Sequence, residues 1–109
     1  AGQALRQYLA EHGFAIEREA LAKDGHFFYT VLRAKKGSMP PLSPGQQYAS
    51  PQLLREGGPL LGPYLARIEA ALAGTVQGLQ QADEPEKLCY YETALAEIRE
   101  MRKHHDDRS

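Results

Sequence analysis

Residues 14–36 read FAIEREALAKDGHFFYTVLRAKK, and this stretch decides the fold. Two runs rich in apolar residues flank Lys23, Asp24 and Gly25. Asp-Gly between such runs is typical of a tight hairpin turn, because glycine readily adopts the positive φ angle that the turn requires. The stretch therefore predicts two antiparallel strands joined at this turn.

The first predicted strand has one apolar side and one charged side. Phe14 and Ile16 alternate with Glu17 and Glu19. Alternation of this kind indicates a half-exposed strand at the edge of a sheet. We therefore interpret these acidic residues, together with Asp24 in the turn, as a solvated edge and not as a pair of catalytic carboxylates.

The second predicted strand is apolar on both sides. Its alternate residues form two faces, with Phe27, Tyr29 and Val31 on one and Phe28, Leu32 and Ala34 on the other. An isolated two-stranded hairpin cannot cover both faces. We expect this strand to lie inside a larger sheet that the chain does not obviously contain. A face of the strand left open to water would overturn the interpretation of the chain as part of a larger fold.

A helix is predicted directly before the hairpin. Residues 3–12 carry Ala4, Leu5, Tyr8 and Leu9 at helical spacing, which predicts an apolar stripe. Gly13 follows as a C-cap. The first third of the chain is thus predicted to be an α-β-β unit.

Composition indicates a soluble globular protein. The chain has 109 residues, a mean hydropathy of -0.52 and a formal net charge of -1. Residues 1–37 carry six basic against four acidic residues, so no polybasic nucleic-acid arm is present there. The single cysteine, Cys89, excludes an internal disulfide, and no apolar run is long enough for a membrane helix. We expect a cytoplasmic location.

The second half of the chain is predicted to be helical after a linker. Three prolines and two glycines in residues 37–45 exclude regular structure and predict a linker along the surface. Ser50 and Pro51 are typical of a helix start that ends near residues 57–58. A longer helix is predicted from Pro59 to about residue 81, and a second, with Asp83 as N-cap, to about residue 103.

These two helices carry a leucine-rich seam. The predicted seam residues are Leu61, Leu65, Ile68, Leu72, Thr75 and Leu79 in one helix and Leu88, Tyr91, Leu95 and Ile98 in the other, with Cys89 as a buried thiol beside them. Spacings of three and four residues favour an antiparallel two-helix coiled coil. At about 1.5 Å per residue, each helix would be on the order of 30 Å long and form a projecting arm.

The order of these motifs resembles a known enzyme family. LRQYLAEHGFAIEREALAKDGHFFYTVLRAKKG resembles the closing segment of class I S-adenosylmethionine-dependent methyltransferases, in which a last helix leads into an edge strand and an inserted antiparallel strand. The continuation YASPQLLREGGPLLGPYLARIEAAL is similar to the bacterial tRNA (adenine(22)-N(1))-methyltransferases, the TrmK family. Thr30 and Ala49 depart from the pattern, where the family tends to carry an acidic residue and a glycine.

The resemblance implies an α+β fragment of a larger enzyme. Residues 1–37 would be the last helix and antiparallel β-hairpin of a Rossmann-like sheet, 38–58 a Pro/Gly-rich linker with a short helix, 59–105 a helical coiled-coil arm and 106–109 a tail. The glycine-rich loop and acidic ribose ligand of the cofactor site are not in the sequence. S-adenosylmethionine would therefore bind a missing N-terminal catalytic half, and the chain is assigned no catalytic, cofactor-binding or metal residues.

The resemblance also implies tRNA as the substrate. Candidate contacts are Tyr29, Arg33, Lys35, Lys36, Arg99, Arg102 and Lys103. Basic residues supply most of the affinity for phosphates, and a tyrosine ring stacks on bases. The structural alternatives are a core role for Tyr29 and ion pairs of the helical residues with nearby Glu97 and Glu100.

Two further interpretations remain open. His104, His105, Asp106 and Asp107 have metal-ligand side chains, but we interpret them as a frayed tail. The alternative to an enzyme part is a non-enzymatic interaction module that dimerises through Tyr64, Tyr90 and the glycine-lined seam. Exposed apolar surface would allow self-association in either case.

Overall fold

The computed structural model describes residues 2–108 and contains a helix, a β-hairpin and three further α-helices. In chain order the elements are α1 Gly2–Glu11, β1 Phe14–Asp24, β2 Phe27–Lys36, α2 Pro51–Glu56, a 3₁₀ turn Gly58–Leu60, α3 Leu61–Leu79 and α4 Pro85–Arg108. The strands form a two-stranded antiparallel sheet, which confirms the predicted α+β architecture with a hairpin. Within residues 2–108, every helix is too short or too polar to traverse a lipid bilayer.

The hairpin turn is one residue later than the sequence predicts. Asp24 is still paired with Phe27, so Gly25 and His26 form a two-residue loop. Gly25 has φ +60° and His26 does not have a positive φ. This combination fits a type II′ turn, in which glycine occupies the first loop position.

A β-bulge near the start of β1 changes which side chains face inward. Ile16 pairs with Ala34, whereas the next paired residue, Arg18, faces Arg33. Glu17 is therefore an extra residue in β1. After it, the alternation of side chains between the two faces is shifted by one residue. Glu19 consequently points into the protein, and only 2% of its surface is exposed. The prediction that Glu19 belongs to a solvated edge is wrong.

The two faces of the hairpin differ in cover. On the inner face, Leu21 and Phe28 pack against the main hydrophobic core. The opposite face, called the outer face below, carries three side chains that are largely exposed: Phe27 at 68%, Tyr29 at 50% and Val31 at 65%. The expected cover on both faces is thus not met within residues 2–108. An open face was expected to overturn the interpretation of the chain as part of a larger fold. That criterion was wrong, since a fragment without its covering part also leaves the face open, and the outcome does not separate a fragment from a complete module.

The buried side of helix α1 differs from the apolar stripe that the sequence predicts. Leu9 is buried as predicted, but its buried neighbour is the guanidinium of Arg6. Leu5 is 46% exposed and Tyr8 is 52% exposed. The Tyr8 ring stacks on the His12 ring, with centroids 3.9 Å apart. Gly13 has φ +77°, which confirms a glycine-dependent end to the helix.

Helices α3 and α4 form an antiparallel hairpin around a closed core. Gly62 near the start of α3 lies against His105 near the end of α4, and Glu69 further along α3 pairs with Arg102. The core residues of the two helices are Leu61, Tyr64, Leu65, Leu72, Val76, Ala94, Leu95 and Ile98. Val76 replaces the predicted Thr75, which is exposed.

Three details of α4 differ from the prediction. Cys89 is exposed and not a buried thiol of the helix interface. The backbone N–H of Leu88 donates to the Glu84 carbonyl at 3.0 Å, so the N-cap is Glu84 and not Asp83. The helix continues to Arg108, so residues 106–108 of the predicted tail are helical, and Ser109 lies outside the described residues.

The helical hairpin is docked on the rest of the chain and is not a projecting arm. The rings of Tyr64 and Phe28 meet edge to face with centroids 5.8 Å apart. On α4, the Glu97 carboxylate accepts a hydrogen bond from the Gly45 N–H at 2.7 Å. The predicted surface linker is itself partly core, because its residues Gly45, Gln47, Ala49 and Ser50 are buried.

Candidate nucleic-acid interface

Tyr29 lies in the middle of the outer face. Its neighbours on this face are Phe27 and Val31 in β2 and Ala20 and Ala22 in β1, which all have exposed side chains. A half-exposed ring on a flat apolar surface is able to stack on another flat group or to be covered by protein. The predicted core role of Tyr29 is not realised within the described chain.

Three predicted basic residues lie at the end of β2 that is remote from the turn. Arg33, Lys35 and Lys36 pair with Arg18, Ala15 and Phe14, respectively, and their side chains are exposed. Arg33 and Lys35 share the outer face with Tyr29, whereas Lys36 falls on the other side of the strand because side chains alternate. This edge therefore combines an aromatic ring with two cations on one face.

The Arg18 guanidinium is held by α2. Its Nε lies 2.5 Å from Oε2 of Glu56. The other carboxylate oxygen of Glu56 accepts the Glu19 backbone N–H at 3.0 Å. Hydrogen bonds from Gln52, from this N–H and from Arg18 hold the pKa of Glu56 below its usual value of 4.5. Arg18 is thus neutralised locally, while Arg33 beside it has its guanidinium exposed.

The basic residues of α4 pair across the helical hairpin. Glu69 of α3 lies 3.1 Å from Arg102 and 3.6 Å from Arg99. The predicted ion pairs of these arginines with Glu97 and Glu100 are therefore replaced by pairs with Glu69. Lys103, the third predicted residue of this group, is exposed.

The two basic groups lie on different elements, one at the end of β2 and the other on α4 beside α3. Helix α3 meets the hairpin at its turn, where Arg67 donates to the His26 carbonyl at 2.7 Å. Glu69, which holds Arg99 and Arg102, follows Arg67 by two residues. Lys36 lies eight residues beyond Phe28, a separation of about 26 Å along the strand. The structure brings the predicted residues together as two groups and not as one patch.

A buried polar cluster joins elements that the sequence assigns to different units. Arg6 and Glu19 are fully enclosed, and the Arg6 Nε donates to Glu19 Oε1 at 2.8 Å. Ser50 donates to Glu19 Oε2 at 2.5 Å. We call Arg6, Glu19 and Ser50 the buried polar cluster. No sequence pattern indicated it, since it depends on the bulge that turns Glu19 inward.

Three tyrosines near this cluster have raised pKa values. Tyr64 donates its hydroxyl to the Tyr48 carbonyl at 2.5 Å, and Tyr90 donates to the Gln47 side chain at 2.5 Å. Loss of water contact on burial is the main cause that raises the pKa of Tyr48, Tyr64 and Tyr90 above its ordinary value of 10.0. These phenols are structural hydrogen-bonding groups that stay neutral.

The dimer surface predicted for the non-enzymatic module is only partly exposed. Tyr64 is only 7% exposed, and Tyr90 is engaged with Gln47 and Gln3. Gly74 and Gly78 face open space. The predicted contact through Tyr64 is therefore wrong, whereas Tyr90 is half-buried and the two glycines are exposed, so dimerisation through them stays a prediction.

The C-terminal histidines line a cleft of mixed charge. His104 and His105, with Arg55 and Arg108, border a cleft of about 630 Å³ between α2 and α4, and Glu97 and Glu100 lie in the same wall. Within residues 2–108, no group of three or more His, Cys, Asp or Glu side chains is arranged to hold a metal ion. The cleft contains none of the predicted tRNA contacts.

Comparison with protein families gives a match over nearly the whole chain. The matching family model, described as TrmK: tRNA (adenine(22)-N(1))-methyltransferase, covers residues 1–102. Comparison with curated proteins gave no significant match.

Two solved structures of Streptococcus pneumoniae Sp1610, a proposed tRNA (m1A22) methyltransferase, have a similar fold. One, in complex with S-adenosyl-L-methionine, is 23% identical with a TM-score of 0.67, and the other is 24% identical with a TM-score of 0.68. Each match covers 93% of this chain but only 42% or 45% of the Sp1610 chain. The chain thus spans less than half the length of these structures, and at this identity the likeness concerns the fold alone.

Proposed function

The chain belongs to the TrmK family of tRNA (adenine(22)-N(1))-methyltransferases, and from this premise we propose that it is the C-terminal part of an S-adenosylmethionine-dependent enzyme that methylates N1 of an adenine in tRNA. The chain completes the catalytic sheet and contributes contacts to tRNA. It does not catalyse the transfer alone.

The family match over residues 1–102 is the observation that carries this proposal, and the exposed outer face of the hairpin is compatible with it. Phe27, Tyr29 and Val31 are exposed side by side, and β2 has a strand partner on one edge only among the described residues. A large apolar face next to an unpaired strand edge is unfavourable in water and favours pairing with another strand. The exposed apolar side of α1, with Leu5 and Tyr8, is a second surface of this kind.

Residues 1–37 would therefore be the last elements of a Rossmann-like sheet. In this arrangement a catalytic half pairs with the free edge of β2 and covers the outer face. S-adenosylmethionine binds to that half, and the methyl group passes directly from its sulfonium to adenine N1, so positioning of the two reactants supplies much of the acceleration. Residues 59–105 would form a helical coiled-coil hairpin docked on the sheet, and residues 38–58 would join it to the sheet.

The proposed tRNA contacts are the residues that the sequence singles out. Arg33 and Lys35 are exposed beside Tyr29 on the outer face, and Lys36 is exposed at the same end of β2. Arg99, Arg102 and Lys103 form the second group on α4. Because Arg99 and Arg102 share the charge of Glu69, the β2 group and Lys103 should contribute more phosphate affinity per residue.

Two measurements test the proposal. Intact mass of the native gene product should give a protein more than twice as long as this chain. That product should transfer a methyl group from labelled S-adenosylmethionine to N1 of an adenine in unmodified tRNA transcripts. A native product of 109 residues, or a longer product that leaves tRNA unmethylated, would contradict it.

The tRNA role of the chain is tested separately. Removal of residues 47–109 from the intact enzyme should weaken tRNA binding in an electrophoretic mobility-shift assay. Since this deletion also removes Ser50, the matched variant Lys35→Glu/Lys103→Glu keeps the fold and should weaken binding in the same direction. Unchanged tRNA affinity in both variants would exclude a role of the chain in RNA binding.

The second candidate function is an interaction module without catalytic activity. The exposed outer face favours it as well, since a second copy of the chain would cover Phe27 and Val31. A stable dimer of a 109-residue native product by analytical ultracentrifugation supports the module.

A further inference from the structure

The buried polar cluster bridges the boundary between the two proposed units. Arg6 belongs to α1 and Glu19 to β1, both within residues 1–37, whereas Ser50 is the N-cap of α2 beyond the linker. All three are buried, with exposures of 0%, 2% and 1%. A polar network without access to water thus connects the sheet with the start of the helical part.

The cluster uses nearly all of its hydrogen-bonding capacity. Oε1 of Glu19 accepts from Arg6, and Oε2 accepts from Ser50. The same Ser50 hydroxyl accepts the Leu53 N–H at 3.1 Å and so fixes the first turn of α2. Removal of either carboxylate oxygen from its partner would leave a buried polar group unpaired.

The remaining donors of Arg6 hold the linker. Its Nη1 lies 3.0 Å from the carbonyl oxygens of both Gln47 and Tyr48. The Tyr48 carbonyl also accepts the hydroxyl of Tyr64, which belongs to α3. One guanidinium therefore touches α1, β1 and the linker directly and α3 through a shared acceptor.

Such a network has one low-energy geometry. Apolar contacts are non-directional, so helices packed only by them tolerate small rotations. A buried ion pair does not tolerate such rotations. A shift that separates its partners leaves unpaired charges in a medium of low dielectric constant. We propose that Arg6, Glu19 and Ser50 form a rigid joint that fixes the helical hairpin at one orientation relative to the β-hairpin.

The functional consequence rests on the proposed function. In a tRNA methyltransferase the joint keeps the helical tRNA contacts in register with the methyl-transfer half. Arg6 and Glu19 are then positioning residues, since neither touches substrate or cofactor. Their loss should affect productive tRNA binding and not the binding of S-adenosylmethionine.

Distance measurements on the 109-residue chain test the joint without reference to activity. Nitroxide labels are attached to Cys89, the single and exposed cysteine, and to a cysteine introduced by Lys36→Cys. Double electron–electron resonance should give a narrow distance distribution for this protein. In Arg6→Met/Glu19→Leu, which replaces the buried charges by apolar groups and so avoids an unpaired charge, the distribution should broaden while circular dichroism shows an unchanged helix content.

A matched control uses another ion pair between β1 and α2. Arg18 and Glu56 are partners, but the Arg18 side chain is 65% exposed, so Arg18→Gln should leave the distribution narrow. If the double variant does not fold, Arg6→Lys, which keeps the charge but loses the planar fork, takes its place with the same expected broadening. A narrow distribution in the folded double variant or in Arg6→Lys, or a broad one in the parent, overturns the joint.

Kinetics of the intact methyltransferase test whether the joint positions the tRNA contacts. The double variant should raise KM for tRNA roughly tenfold and leave KM for S-adenosylmethionine unchanged. Broadened distances with an unchanged KM for tRNA would refute the positioning role but not the joint. An intact parent protein without tRNA methylation would refute the proposed function and leave the distance result standing.

Discussion

The two faces of the β-hairpin have similar apolar content but different surroundings. On the inner face Phe28 packs against Tyr64, with Lys23 and Arg67 placed over its ring at 5.5 and 5.4 Å. On the outer face its neighbour Phe27 is 68% exposed. The inner face is packed against the hydrophobic core, whereas the outer face is exposed to solvent. The effect of a substitution should therefore depend on the face and not on the residue type.

The largest difference in the loss of stability is expected between substitutions of two adjacent charged residues of β1, Glu19 and Arg18. Glu19→Gln leaves the Arg6 guanidinium buried without a counter-charge, so the free energy of unfolding should fall by about 3–5 kcal/mol. Arg18→Gln breaks an exposed pair and should cost at most about 1 kcal/mol. Urea denaturation of both variants measures the difference. Equal losses in the two variants would mean that Glu19 is accessible to water.

The two adjacent phenylalanines provide the next comparison. Phe28→Ala should lower the free energy of unfolding by about 2 kcal/mol, less than the roughly 3–5 kcal/mol of a fully buried ring, because Phe28 is only partly buried. Phe27→Ala should change it by no more than about 0.5 kcal/mol. Denaturant unfolding of the isolated chain checks both values.

The same pair also tests whether the outer face becomes covered. In the intact native protein Phe27→Ala should become as costly as Phe28→Ala, since both rings would then be enclosed. If Phe27→Ala remains neutral in the intact protein, the outer face stays open and the Rossmann-like sheet is not completed there.

The rules for turns and helix ends predicted the helix and the two strands, but not which side chains of β1 lie on the inner face. Gly13 and Gly25 lie where the backbone requires positive φ angles. The helix, the hairpin and their order could therefore be predicted from the sequence. The bulge at Glu17 did not, because one extra residue changes no composition and yet turns Glu19 inward. The buried polar cluster was therefore missed.

The helical half shows the same limit. The spacing of apolar residues predicted both helices and most of their core. It placed Thr75 in the core in place of Val76, and it predicted that Cys89 is buried, although Cys89 is exposed. Neighbouring residues on a helix differ by about 100° in direction, so a small error in the phase of the stripe exchanges a core position for a surface one. The tRNA contacts remain predictions, since exposure alone does not identify what a cation binds.

Self-association should also distinguish the two faces. Val31→Lys adds a charge to the exposed apolar face and should shift the isolated chain towards monomer without loss of stability. Ala96→Lys, at an exposed position of α4, is the matched control and should leave association unchanged. Sedimentation velocity over a concentration series measures both. Association that responds to Ala96→Lys and not to Val31→Lys would place the contact elsewhere.

The smallest expected effect on stability concerns two tyrosines: Tyr64 of α3, which packs on the inner face, and Tyr29 on the outer face. Burial raises the pKa of Tyr64 above 10.0, so above about pH 10 the unfolded chain releases this proton more readily than the folded one. The stability that Tyr64 contributes is therefore fully present below about pH 10 and is lost as pH rises further, at up to about 1.4 kcal/mol per pH unit.

Comparison of Tyr64→Phe with Tyr29→Phe isolates this contribution. Tyr64→Phe removes the hydrogen bond to the Tyr48 carbonyl and should cost about 1 kcal/mol at pH 8, while the decline of stability between pH 10 and 11 becomes shallower than in the parent. Tyr29→Phe, on the exposed outer face, should cost less than about 0.5 kcal/mol at pH 8. Urea denaturation at fixed pH values from 8 to 11 gives these free energies. A parent protein whose stability stays constant from pH 10 to 11 would show that the Tyr64 phenol is as accessible in the folded chain as in the unfolded one, and the distinction between a closed inner face and an open outer face would then fail at this position.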